Sequence, residues 1–359
     1  MDSGDAGLGG ARRIVVRVPV DPVEAAVEAD AVDAAARTGG FVVRGPLFGV
    51  AAQDDRDGPG WRVIVAVTAG CPQHARDSLN SKLWFRAKDE ARSREERRAL
   101  LAAVARLETE RVDELAVDGT RYRVVRAEEY AMSGPEGLEG PRPTDPEPLV
   151  PDWSRGVRGP EVDDGLVLDA EAPVTPTQAL EQLALRDLRY TGDRYPAAVR
   201  ADSRRAVDLH PDVVLLPPTF TVVERTTGPW TPASGQHATV HAARRSLDFS
   251  LTWLWPRTHG LISTDAEMDV DARSVSAGDR DVPHAAVLAE HAAAADRLRA
   301  GRVNRLEFRD TVYQIARIRR LMRWGPDGPE GPRPSDVNTQ DPVRLHPPLD
   351  EDGTIGREP

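Results

Sequence analysis

Residues 134–145 read Gly134-Pro135-Glu136-Gly137-Leu138-Glu139-Gly140-Pro141-Arg142-Pro143-Thr144-Asp145. Residues 325–336 read Gly325-Pro326-Asp327-Gly328-Pro329-Glu330-Gly331-Pro332-Arg333-Pro334-Ser335-Asp336. The likeness runs backwards without a gap. Leu107, Arg111-Val112, Leu115, Thr120, Tyr122 and Arg126 are answered by Leu298, Arg302-Val303, Leu306, Thr311, Tyr313 and Arg317, and about 16 of about 39 positions are identical. Further upstream, with changes of offset, Ala29-Asp30 answers Ala201-Asp202. Pro46 and Phe48 answer Pro218 and Phe220, and Ala75-Arg76 with Ser78-Leu79 answers Ala243-Arg244 with Ser246-Leu247. The chain reads as one unit written twice.

Periodicity gives the content of the unit. Residues 23–37 are Ala-rich and helical, ended by Gly39-Gly40. Runs 41–52 and 61–68 are β-rich and flank Asp57-Gly58-Pro59-Gly60, which predicts a hairpin. A helical stretch from Pro72 to about Glu110 places Leu100, Leu101, Val104 and Leu107 at core spacing. Residues 112–117 and 120–126 predict a second hairpin about Asp118-Gly119. The expectation is an α+β fold, internally duplicated, with two helix–hairpin–helices–hairpin units packed as a pseudo-twofold pair. The divisions are an N-terminal arm (1–19, disordered or strand-forming), a first copy with a Pro-rich linker (20–170), and a second copy (171–359). The second copy carries an insertion near 258–281 and a Pro-rich tail.

Composition narrows the function classes. A net charge of −11 with no long basic stripe argues against nucleic acid as main partner. Hydrophobic content of 40% places the chain among globular proteins. No apolar run reaches membrane-spanning length, and Arg17, Asp21 and Glu24 interrupt any signal-peptide core; the expected location is the cytoplasm. Cys71 is the sole cysteine, which excludes an intrachain disulfide and a cysteine-based zinc cage. Lys82 and Lys88 are the only lysines among the 47 basic residues, and that arginine bias suggests a GC-rich genome.

Three runs carry a resemblance: Arg44-Gly45-Pro46-Leu47-Phe48-Gly49-Val50, Leu83-Trp84-Phe85-Arg86-Ala87-Lys88, and the run from Arg323-Trp324 through Pro334. They resemble an uncharacterised family of actinomycete proteins defined by a domain of unknown function. The resemblance implies an actinomycete origin and a cytosolic protein, and it supplies no activity, cofactor or functional residue.

The paired Gly/Pro/Arg loops are the most specific candidate site. Arg142 and Arg333 could present a bidentate fork to an anion, with Glu139, Glu330, Asp145 and Asp336 nearby and Tyr122 and Tyr313 contributing. The plainer reading pairs each arginine with its neighbouring carboxylates. A phosphate loop is disfavoured because Pro135, Pro141 and Pro143 offer no N–H. Cys71 stands before a helix start with His74 one turn on, a thiolate setting that the matching block lacks. His237 and His241 would share a helical face, the spacing of a zinc pair, without the metalloprotease glutamate. Asp265, Glu267, Asp269 and Asp271 alternate as in a calcium loop, but Val270 and Ser276 replace its Gly and Glu. The plainer reading there is a strand with Ala266, Met268 and Val270 inward. Trp84-Phe85 and Trp253-Leu254-Trp255 are expected to end matching helices, more as core than as a pocket. No nucleophile elbow, Walker motif or dinucleotide fingerprint occurs. These features favour a non-enzymatic binding or scaffolding protein, without cofactor or metal, that meets a protein partner or itself. The alternative is an enzyme or small-molecule receptor with an anion site between the copies.

Overall fold

The computed structural model describes residues 11–54, 56, 58, 60–274 and 284–355. Part of the N-terminal arm, Asp57 and Pro59 of the first hairpin turn, and the end of the insertion about Asp281 lie outside them. Among the described residues no helix is long and apolar enough to cross a membrane.

The first half begins with α1 (Pro22–Arg37), started by Asp21, whose carboxylate accepts from the Val23 and Glu24 amides at 2.9 and 3.3 Å. β1 (Gly40–Asp54) and β2 (Trp61–Ala69) pair antiparallel. The expected long helix after Pro72 is two: α2 (Pro72–Phe85) runs into a π-turn at 86–90, and α3 (Arg94–Thr109) restarts with Ser93 as its cap. β3 (Glu114–Val117) and β4 (Thr120–Gly134) form the second hairpin, and Asp118 and Gly119 both take positive φ in its turn. Two-residue strands β5 (Gly137–Leu138) and β6 (Val167–Leu168) pair with β4 and β2.

The second half holds α4 (Pro176–Leu185), α5 (Ala197–Leu209), β7 (Asp212–Arg225), β8 (Thr231–Pro232) and α6 (Val240–Phe249). A π-turn at 250–254 follows α6, as one follows α2. Then come α7 (Trp255–Thr258), α8 (Ala285–Gly301), β9 (Arg305–Phe308), β10 (Thr311–Gly325) and β11 (Gly328–Pro329).

All strands join one mixed-length antiparallel sheet, ordered β6-β2-β1-β4-β10-β7-β8, that curls into a half-barrel. Its seam is β4 against β10, with Tyr130 opposite Arg319, Glu128 opposite Leu321 and Ala127 opposite Met322. Side chains alternate across a strand, so β4 serves two cores. Tyr122 and Val124 face α2 and α3, where they meet Phe48, Leu79, Leu83 and Leu100. Val125 and Ala127 face the other side and join Leu47, Trp61 and Val67 to Leu216 and Met322. That cluster draws on both halves. The helix pair α6 and α8 covers β7 and β10 through Phe220, Val222, Leu247, Leu298 and Ile315.

Two local expectations are corrected. Residues 263–271 are turns, not a strand: Ala266 and Val270 pack beside Ile262 and Leu288, while Met268 is 72% exposed. Local backbone bonds from Ala266 N to Ser263 O and from Val270 N to Glu267 O, 3.2 and 3.1 Å, close those turns. His237 is not on a helix, because α6 starts only after the cap Thr239; His237 instead exchanges two backbone hydrogen bonds with Phe220, each 2.8 Å.

Candidate functional site

Each Gly/Pro/Arg loop leaves its own half and crosses onto the other. After β4 and β5, the first tail lies over α6 and α8. His241 Nε2 meets the Asp152 carbonyl at 2.8 Å, Arg245 donates to Val157 O at 2.6 Å, and Trp153 packs on the second helical core. After β10 and β11, the second tail lies over α2 and α3. Trp84 Nε1 donates to Pro347 O at 3.0 Å, His346 stacks on Trp84 at 4.6 Å, and Leu349 packs on the first helical core. Prolines hold both tails extended, and the carbonyls of Asp152, Val157 and Pro347 find partners across the halves.

Matching side chains anchor the two crossings. Arg333 Nε and Nη2 donate to Glu330 at 2.7 and 3.1 Å, and Arg142 Nε donates to Glu139 at 2.7 Å. Asp336 accepts from the Arg333 amide at 2.7 Å and from Arg126 Nε at 2.9 Å; Asp145 accepts from the Arg142 amide at 2.7 Å and from Arg317 Nε at 3.0 Å. Arg126 and Arg317 belong to the strands of the opposite half, so these are inter-half ties. Backbone bonds repeat the pattern: Arg126 N to Glu330 O and Arg317 N to Glu139 O, both 2.9 Å. Asp30 and Asp202 take the amides of Thr144 and Ser335 at 2.9 and 2.8 Å. Arg76 holds Asn338 at 3.0 Å and Asp113 at 2.6 Å, while Arg244 holds Glu147 and, at 2.6 Å, Asn304.

The two networks differ at the seam. Beside Arg333, β4 supplies Glu128, which accepts from Arg126 at 2.6 Å, Arg333 at 3.1 Å and the Tyr190 hydroxyl at 2.5 Å. Beside Arg142, β10 supplies Arg319 instead, which donates to Glu139 at 2.8 Å and Glu181 at 2.5 Å; Tyr130 also donates to Glu181 at 2.5 Å. Burial raises the Glu128 carboxyl, but the Arg126 and Arg333 charges and the Tyr190 hydrogen bond outweigh it and hold it below its ordinary value. Burial and the Glu128 charge push the Tyr190 phenol up. Glu128 is therefore held as a bound carboxylate, the protonation state of a structural tie and not of a neutral general acid at pH 7. On the reverse face, Arg320 forks onto Asp163 at 2.5 and 2.7 Å with both side chains fully buried, fixing the end of the first tail to the seam.

The residues expected to share a site are distributed in pairs. Glu139 with Arg142, and Glu330 with Arg333, are together. Tyr122 lies in the first helical core, its hydroxyl accepting from Arg86 at 2.8 Å, and Tyr313 lies in the second, its ring 5.0 Å from Trp255. The two tyrosines thus lie in separate helical cores. Cys71 is buried at the start of α2; burial raises its thiol, but bonds from Thr339 and from the His74 and Gln73 amides prevail and leave it lowered. Trp84 is core, as is the helix end around Leu251, whereas Trp253 packs outward on Phe249 at 5.0 Å and hydrogen-bonds Met268 O at 3.1 Å. Among the described residues no group of three His, Cys, Asp or Glu is placed to hold a metal ion. Glu128, Glu181, Tyr190 and the Arg320–Asp163 pair were not among the expected residues. Arg126 and Arg317 stood in the repeated run, and their retention was the available signal.

No curated protein and no solved structure matches the chain. A family profile covers residues 21–339, from the start of α1 to the second tail where it passes Cys71. The chain belongs to that family, the family of unknown function DUF5954.

Proposed function

We propose that this chain is a non-enzymatic cytosolic binding or scaffolding protein of actinomycete origin. In this reading its halves are two diverged copies, packed as a pseudo-twofold pair and locked by exchanging their tails. The single observation that carries it is how the duplicated chemistry is used. The arginines and carboxylates of both loops, the most specific side chains in the sequence, are turned inward onto one another and onto the opposite half. Matching residues make matching contacts: Arg76 and Arg244 reach the tail of the opposite half at Asn338 and Glu147, and Asp30 and Asp202 hold the loop of their own half. Such ties fix a shape, and a fixed shape serves recognition of a protein partner or a second copy.

Native mass spectrometry of the protein purified from an actinomycete host tests this. The expected spectrum shows the chain alone as monomer or dimer, or with a protein partner. A small-molecule mass that disappears on Arg142→Ala or Arg333→Ala would overturn it in favour of a receptor or enzyme with an anion site between the copies.

A further inference from the structure

A cavity of about 410 Å³ opens beside the first helix pair, within the range of small-molecule sites. Lys82 and Arg86 come from the end of α2 and its π-turn, Thr120 and Tyr122 from β4, and Ile64 and Leu83 give it apolar walls. π-turns concentrate where a helix serves a site, and this one brings Arg86 and Glu90 to the same cavity.

Two groups there are chemically unspent. Tyr122 is 5% exposed and its hydroxyl accepts from Arg86 Nη1, but among the described residues nothing accepts the phenol's own hydrogen. Buried donors are normally satisfied, and the cavity is where an acceptor can reach this one. Lys82 is exposed and makes no ion pair among the described residues. The other charges are engaged or balanced. Arg86 also holds Glu96 at 2.9 Å, and Asp54 is taken by Arg56 and by the Thr120 hydroxyl at 3.0 Å. Arg62 and Glu90, both on the lining, make no ion pair among the described residues; their opposite charges sum to zero, which leaves the Lys82 charge in excess. Lys82 is one of two lysines in a chain that otherwise uses arginine, and an ammonium is a compact point charge where a guanidinium is a planar fork.

We propose that this cavity binds a small organic carboxylate. Its oxygens accept hydrogen bonds from the Tyr122 hydroxyl and the Lys82 ammonium, and its apolar body lies against Ile64 and Leu83. The inference rests on the reading of the chain as a binding protein and gives that reading a ligand class, at a place distinct from the tail loops.

Calorimetric titration of the full chain with benzoate, acetate and inorganic phosphate tests it, with the ligand recovered and identified afterwards. Benzoate is expected to saturate and to bind more tightly than acetate. Lys82→Met and Tyr122→Phe are each expected to weaken it at least about tenfold, the loss of one charged or buried hydrogen bond. Lys82 is exposed, so Lys82→Met decides the question even if Tyr122→Phe disturbs the core. Failure of both carboxylates to saturate, a response to phosphate alone, or an unchanged affinity in Lys82→Met would overturn the site while leaving the non-enzymatic reading in place. Benzoate that binds but returns chemically altered would keep the site and end that reading.

Discussion

Arg142 and Arg333 occupy matching places in the two loops, yet their removal has unequal consequences. Glu330 is 4% exposed and takes its side-chain hydrogen bonds from Arg333 alone among the described residues, at 2.7 and 3.1 Å. Arg333→Met therefore leaves a buried carboxylate without its hydrogen-bonded counter-charge, with only the more distant Arg126 and Arg323 charges beside it, and breaking a buried pair in that way costs about 3–5 kcal/mol. Glu128 is spared, because Arg126 and Tyr190 still hold it at 2.6 and 2.5 Å. Glu139 is protected as well: after Arg142→Met it keeps Arg319 at 2.8 Å. The cost there is about one charged hydrogen bond, on the order of 1.5–3 kcal/mol. Methionine preserves most of the apolar stem in both cases, and both loop amides keep their aspartates. Urea unfolding of the two variants and the parent, with midpoints and slopes compared, reads the difference. A larger loss in Arg333→Met is expected. Equal losses, or the larger loss in Arg142→Met, would refute the reasoning.

Other consequences follow from the same contacts. Cys71 lies beneath the second tail with its sulfur 3.4 Å from the Thr339 hydroxyl; a chain ending after Asp336 should react with a thiol reagent at rates the full chain does not show, and equal slow rates would contradict the tail's placement. Arg320→Met leaves the buried Asp163 carboxylate without its counter-charge, with only the Val67 amide at 3.0 Å still donating to it, and should cost about 3–5 kcal/mol in urea unfolding; a loss below about 1 kcal/mol would show that Asp163 finds water. Acid should destabilise the fold. Glu128 and Asp248 are buried, which raises them, but their arginine partners prevail and hold both below their ordinary values. Depressed carboxyls contribute in full above the unfolded carboxyl range, about pH 4–5, and lose that contribution as pH falls through their lower folded values. Urea midpoints that fall below about pH 4 are expected, and a flat profile from pH 7 to 3 would contradict this.

How much of this was legible in the sequence depends on whether a contact is local. The pairings Arg142–Glu139 and Arg333–Glu330 span three residues and follow from spacing. The helix about 23–37, the helical character of the stretch from Pro72 to about Glu110 and the Asp118-Gly119 turn follow from periodicity and turn chemistry. The α2–α3 break does not, because Ala91 to Ser93 carries no proline or glycine and the π-turn before it leaves no compositional mark. The repeated run gave the same loop chemistry twice, but a sequence match cannot say onto which half a loop folds. That needs the seam between β4 and β10, which brings Arg126 to Asp336 and Arg317 to Asp145 across long separations. His237 and His241 looked like helix neighbours because spacing alone was used; Thr239, a strong N-cap residue between them, was the signal that the helix starts later. Tyr122 was singled out for its repetition, while its unspent hydrogen depends on what surrounds it in space.

The central claim is that the two halves form one cooperative unit, tied at the seam and by the crossed tails. Native-state hydrogen exchange tests it most directly, following the amides of 127–130 and 319–322 together with those of α2, α3, α6 and α8. The seam amides and both helical cores are expected to open in one common, slowest step. Exchange of one core while the other stays protected, with no slow class at the seam, would contradict it.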